Sequence, residues 1–196
     1  MIRTLPIAYL SVALGLLAPA AMAAEPPPMT WFPVQATALY RTGDSWSDAG
    51  TTYRLYGVQA CLRGTMMTNA HGLKRDCGEA SLAMLVALVR DLHPQCTAAA
   101  RLPQDGTVLV FCVATRTTGA GAGSRIDLGT ALIATGFAFA ALTPDGAALY
   151  APYGAAEDVA RRSHAGLWAF PDLPLPGAII LRALASPPSS LGSPTP

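Results

Sequence analysis

Neither sign of charge dominates this sequence: thirteen Lys and Arg stand against twelve Asp and Glu. Proteins that live on phosphate contacts usually carry a basic excess or stripe, so the count disfavours generic nucleic-acid binding, although a local patch escapes such counting. Cysteine is scarce, four in 196 residues, and none sits in a Cys-x-x-Cys pair or at zinc-ligand spacing with histidine. That argues against a zinc centre and a thioredoxin-type redox motif. After the N-terminus no run is long and apolar enough to cross a bilayer. The glycine-rich stretch Gly119-Ala120-Gly121-Ala122-Gly123 lacks a following Lys-Ser/Thr. It is therefore no phosphate cradle and reads as a flexible hairpin tip. There is no internal repeat, and the length suits one hydrophobic core rather than two.

What is present begins with an export signature. Arg3, an apolar stretch from Leu5 to Ala18 and then Ala21-Met22-Ala23 give the order basic, apolar, small. This predicts a secretory signal cleaved after Ala23 or Ala24, and a secreted or periplasmic product with no membrane span. Removing Arg3 leaves twelve charges of each sign. The expected organisation is a signal peptide over 1–24, a linker over 25–33 stiffened by Pro26-Pro27-Pro28, one domain over 34–172, and a C-terminal segment over 173–196, largely disordered after 185. In an oxidising compartment the four cysteines are expected to form disulfides.

The patterning predicts a strand over Val34 to Arg41, a turn at Thr42-Gly43-Asp44, and a second strand over Thr51 to Val58. Leu82, Leu85, Val86 and Val89 then recur at helical spacing, which predicts an amphipathic helix from Gly78 to about Asp91, stopped by His93-Pro94. Gln95 to Ala100 and Thr107 to Thr115 flank turn formers at Pro103 and Asp105-Gly106 and form a hairpin. Antiparallel pairing about that turn sets Cys96 opposite Cys112, within disulfide reach. Cys61 is left for Cys77, each bridge closing a loop of about 15 residues and contributing about 3 kcal/mol by the chain-entropy estimate. Asp127 is placed to cap a helix over Leu128 to Thr135 that ends at Gly136, and a last helix is expected over about Ala155 to Ala165. Trp168 reads as a core anchor.

Five pieces now occur in a recognisable order: Tyr53-Arg54-Leu55-Tyr56-Gly57-Val58; Cys77-Gly78-Glu79-Ala80 opening a helix; Asp127-Leu128 through Gly136-Phe137-Ala138; Tyr150 with Glu157 and Ala160-Arg161; and Gly166-Leu167-Trp168. Together, over about Gln35 to Phe170, they resemble the staphylococcal nuclease (thermonuclease) family, in its exported, disulfide-containing branch. The resemblance implies an α+β chain, mainly β: an oligonucleotide/oligosaccharide-binding barrel of five strands with about three packed helices. Active members of that family cleave phosphodiesters with calcium held by two aspartates, a glutamate that helps activate water, and two arginines that neutralise the transition state.

Carried over residue by residue, the resemblance makes Asp44 in Gly43-Asp44-Ser45 a metal ligand and Arg54 a phosphate-binding arginine. The second metal aspartate is replaced by Gln59, the base by Leu62, and the second arginine by Thr107. Three of the five functional positions therefore lack the family's charge. One carboxylate beside an amide holds calcium poorly, because affinity follows ligand charge. The expectation is a catalytically impaired nuclease homologue that acts as a binding or scaffold module. No cofactor is expected, with Ca2+ required only if activity survives. Candidate partners are a nucleic acid or other polyanion, or an envelope protein, and a monomer is expected. A helper of a secretion or conjugation machine is a further reading. The alternative is a weak metal-dependent phosphodiesterase whose ligands have rearranged to Asp48, Asp76 or Glu79, with Arg63 or Arg116 replacing the lost arginine. Against that, Glu79 is explained by its place at a helix N-terminus, Asp44 by its turn, and His71, His93 and His164 by ordinary solvation.

Overall fold

The computed structural model describes residues 30–185 apart from positions 118 and 120. The expected signal peptide, most of the expected linker and the segment after 185 lie outside those residues. The described chain is mixed α+β, with short strands first and helices interspersed from Cys77 onward.

The first half forms β1 (Trp31–Pro33), β2 (Leu39–Thr42), β3 (Ser45–Asp48), β4 (Thr51–Leu55) and β5 (Val58–Ala60). Three expectations change here. The strand expected over Val34 to Arg41 is shortened to β2, because Gln35 to Ala38 closes a turn through an Ala38 N–H to Gln35 carbonyl hydrogen bond of 3.0 Å. β1 begins inside the stretch expected to be linker. The strand expected over Thr51 to Val58 breaks at Tyr56-Gly57, where Gly57 takes φ +71°, a left-handed conformation that costs glycine little.

After a small antiparallel pair, β6 (Met66–Thr68) and β7 (Lys74–Asp76), helix α1 runs over Cys77–Leu92. The Asp76 carboxylate caps it, accepting from the Gly78 and Glu79 amides at 2.8 and 3.2 Å. His93 ends it in the left-handed conformation, donating its N–H to the Val89 carbonyl. The buried row is Cys77, Ser81, Leu85 and Val89, one residue in four, and Val86 is exposed. The helix is therefore rotated from the expected stripe. Its inward serine is tolerated because its hydroxyl donates to the Phe137 carbonyl at 2.6 Å and accepts from the Cys61 amide at 3.3 Å.

The hairpin forms as β8 (Gln95–Arg101) and β9 (Val108–Thr115), with Cys96 paired to Cys112 in register. β10 (Arg125–Asp127) adds to β9, and Asp127 caps α2 (Leu128–Ala134) through the Thr130 amide at 2.7 Å. β11 (Ala138–Ala140) pairs with β5. α3 covers Ala151–Arg162, earlier than the expected start at Ala155, because Pro152 fits the first helical turn, where its missing N–H has no partner to lose. A 3₁₀ turn over Gly166–Ala169 leads to α4 (Pro176–Ala185), a fourth helix inside the segment read as tail.

The main sheet runs β1-β8-β9-β4-β3-β2, curled into a half-barrel with β10 on β9, and β4 lies parallel to β9. Its inner face packs Trp46, Leu55 and Val110, with Val58 of β5, against Leu85 of α1, Leu132 of α2 and Tyr153 of α3, and includes the Cys96–Cys112 bridge. A second cluster of Met67, Phe139 and Leu167 surrounds the Cys61–Cys77 bridge. Trp168 joins its edge, with its ring 5.3 Å from Phe139 and its buried indole Nε1 unbonded. Among the described residues no helix is long and apolar enough to cross a membrane.

Candidate functional site

Asp44, Arg54, Gln59 and Leu62, supplied by successive strands and turns of the first half, line one cleft of about 310 Å³ together with Thr42, Arg63 and the distant Ile180. The β2–β3 turn supplies Asp44. Gly43 makes this possible: a Cβ there would lie 2.5 Å from Ser81 Cβ, so any other residue pushes the turn off α1. Arg54 stands on β4 opposite Ser45, Gln59 is in the middle of β5, and Leu62 follows Cys61, which its disulfide ties to the start of α1.

The polar atoms of this cleft are bonded to one another. The Arg54 guanidinium donates from Nε to Asp44 Oδ2 at 3.0 Å, and its Nη2 lies 3.0 Å from the same oxygen. Nη2 also donates to Gln59 Oε1 at 2.9 Å, and Gln59 Nε2 donates in turn to the Ala60 carbonyl at 2.9 Å. The Ala60 amide returns to Asp44 Oδ2 at 3.3 Å, and the Thr42 hydroxyl donates to Asp44 Oδ1. Asp44 is only 3% exposed. A carboxylate so buried is tolerable only with a countercharge and further hydrogen bonds, and it has both.

Thr107 does not line this cleft. It is buried at the entry to β9, where its amide donates to Asp105 Oδ1 at 2.9 Å. The second guanidinium at the cleft is Arg63, and it is held by Glu79, with Nε 2.8 Å from Oε1.

The other candidate ligands are occupied elsewhere. Asp48 accepts from the Thr37 hydroxyl at 2.8 Å and lines a separate cleft. Asp76 caps α1 and accepts from the Gly64 amide at 2.8 Å. Burial opposes its ionisation, but the Gly64, Glu79 and Gly78 amides and the nearby Arg63 charge outweigh it and hold the carboxyl below its ordinary value. Arg116 lies beyond β9 in a different cleft. His71 sits in an exposed turn, its amide bonded to Asn69 Oδ1 at 2.9 Å, and the His164 ring approaches the Trp168 carbonyl at 3.4 Å. Among the described residues no group of three or more His, Cys, Asp or Glu is placed to hold a metal.

The donor set does not suit calcium, which takes six to eight oxygens. Among the described residues the cleft offers one carboxylate, already receiving three hydrogen bonds and an ion pair, and an amide oxygen turned to Arg54. Residue order had not pointed to Thr42 or Ile180. Thr42 had been read only as part of a turn, and Ile180 reaches the cleft on α4, whose apolar run Ala178-Ile179-Ile180-Leu181 after Pro176 was its signal. Comparison of the chain with protein-family models and with curated proteins finds no match.

Proposed function

We propose that this chain is an exported protein of staphylococcal-nuclease type whose catalytic cleft has closed on itself, and that it works as a binding or scaffold module. One observation carries this reading: the only carboxylate lining the cleft among the described residues is neutralised by the arginine that would otherwise receive phosphate. An arginine already bridging Asp44 and Gln59 must give up both bonds before it can stabilise charge developing on a substrate. Leu62, at the position of the water-activating acid, has no atom that accepts a proton.

Strand order supports the barrel assignment. The meander β2-β3-β4, followed by β9 beside β4 and β8 beside β9, with α1 between β4 and β8 in sequence, is the arrangement expected of a five-stranded oligonucleotide/oligosaccharide-binding barrel. The two disulfides support an oxidising compartment.

The test is direct. Purified mature protein is incubated with calcium and single-stranded DNA or RNA, and digestion is followed by gel. No cleavage above a protein-free blank is expected. Digestion that stops on chelation and is lost in both Asp44→Ala and Arg54→Lys would establish the alternative, a weak metal-dependent phosphodiesterase.

A further inference from the structure

Arg54 pairs in register with Leu109 of β9, and Thr115 ends that strand six residues on, about 20 Å away at the rise of an extended chain. Around that far end is an open cleft of about 750 Å³ that includes Trp31, His93, Thr115, Arg116 and Arg125. A second cleft of about 660 Å³ shares Arg116, Arg125, Ile126 and Leu92 with it, so the two form one extended groove. The sheet assembles this from distant parts of the chain. β10 sets Arg125 opposite Thr115, while β1, paired to β8, brings Trp31 alongside. The Arg125 guanidinium carbon lies 5.8 Å from the Trp31 ring centroid, and Trp31 is 40% exposed.

The charge here is unbalanced. Among the described residues neither Arg116 nor Arg125 forms an ion pair. Of the groove's two acids, Asp91 is paired with Arg90 at 2.8 Å, while Asp127 keeps its charge but turns it to the Thr130 amide and the Tyr153 hydroxyl at 2.7 and 2.9 Å, so the two guanidiniums outnumber the one acid that has no cationic partner among the described residues. Two unpaired guanidiniums beside an exposed indole, in a groove long enough for several residues of a polymer, combine a backbone-charge track with a stacking platform.

We infer that this groove binds single-stranded nucleic acid, with a base on Trp31 and neighbouring phosphates on Arg116 and Arg125. A planar base stacks on both the indole and a guanidinium plane, and its edge finds donors and acceptors in Gln95, Thr115 and Thr117. An acidic polysaccharide matches the charge but has puckered rings and no aromatic face. The groove is separate from the Asp44 cleft, so the inference stands whether or not that cleft retains chemistry.

The experiment is a fluorescence-anisotropy titration of the mature protein with labelled oligo-dT of about eight nucleotides, within the span one such barrel covers, at low and moderate salt. Saturable binding is expected. Trp31→Leu weakens it at least about fivefold while Trp31→Phe largely preserves it, as loss and retention of one stacking platform require. The double change Arg116→Ala with Arg125→Ala weakens it about tenfold or more and reduces the steepness of the log–log salt dependence by about 1.4, two phosphate contacts on a single strand. Removing the same charge from α3 with Arg161→Ala and Arg162→Ala leaves affinity within about twofold. Thermal melts confirm that each variant is folded. The inference is overturned by absence of saturable binding at low salt, by equal effects of the two arginine doubles, or by tighter binding of polygalacturonate than of oligo-dT.

Discussion

The two ends of β9 use arginine in opposite ways. Beside its start, Arg54 is locked to a buried carboxylate and an amide oxygen, and the polar atoms of the cleft around it are bonded to one another. At its end, Arg116 and Arg125 have no acidic partner among the described residues and border the largest groove described above. A near-neutral total charge hides this contrast. What a cation can do for a ligand depends on whether the fold has already satisfied it, and that is a property of the neighbourhood rather than of the count.

The contrast is most sharply tested by removing one partner at each end. Asp44→Ala leaves Arg54 without its countercharge and the Ala60 amide unpaired. Buried pairs cost about 3–5 kcal/mol to break in this way; with the Arg54 side chain 39% exposed and able to reach water, about 2–3 kcal/mol is expected. Arg116→Ala, by comparison, should change stability by less than about 0.5 kcal/mol. Urea titration of both variants checks this, and equal destabilisation would abolish the distinction between a closed and an open end.

Next in size is Asp76→Ala, which removes a helix cap bonded to three amides and should cost about 1–2 kcal/mol at neutral pH. Because the folded state lowers this carboxyl's pKa, its contribution is present above the ordinary aspartate value of about 3.9 and is lost as pH falls through the lowered one. The gap between variant and parent should therefore narrow in acid. A gap that stays constant down to the acid limit would show that the capping charge is not what matters.

The smallest effect separates an acid that has a countercharge from one that is mainly buried. Glu157 accepts the Ala140 amide at 2.6 Å, but burial, its largest influence, pushes its pKa up, with that hydrogen bond and Arg161 only partly offsetting it. Stability that Glu157 contributes below the ordinary glutamate value, about 4.3, is lost as pH rises through the raised folded value. Glu157→Gln keeps an acceptor for Ala140 and should flatten that loss. Denaturation curves across mildly acidic pH read the difference, and parallel profiles for variant and parent would refute the assignment.

Much of the local structure was legible because its causes are local. The α1 helix announces itself by apolar spacing and by His93-Pro94 at its end, although its cap at Asp76 was not read, and the turn between β8 and β9 places Cys96 opposite Cys112 by symmetry alone. The breaks at Gln35–Ala38 and Tyr56-Gly57 were not legible, since β-forming residues there continue on both sides of a reversal that packing selects. The short α4 was hidden by its proline-rich surroundings, although it supplies Ile180 to the Asp44 cleft. Of the site itself, Asp44, Arg54, Gln59 and Leu62 could be named from residue order. That the first three are bonded to each other could not, and neither could the grouping of Trp31, Arg116 and Arg125.

Residue order by itself determined where α1, α2 and the β8–β9 turn fall, because those depend on neighbours a few positions apart. Only the tertiary structure decided which remaining charges are neutralised and which stand open. That outcome is set by which strands pair and by the side chains their pairing brings together.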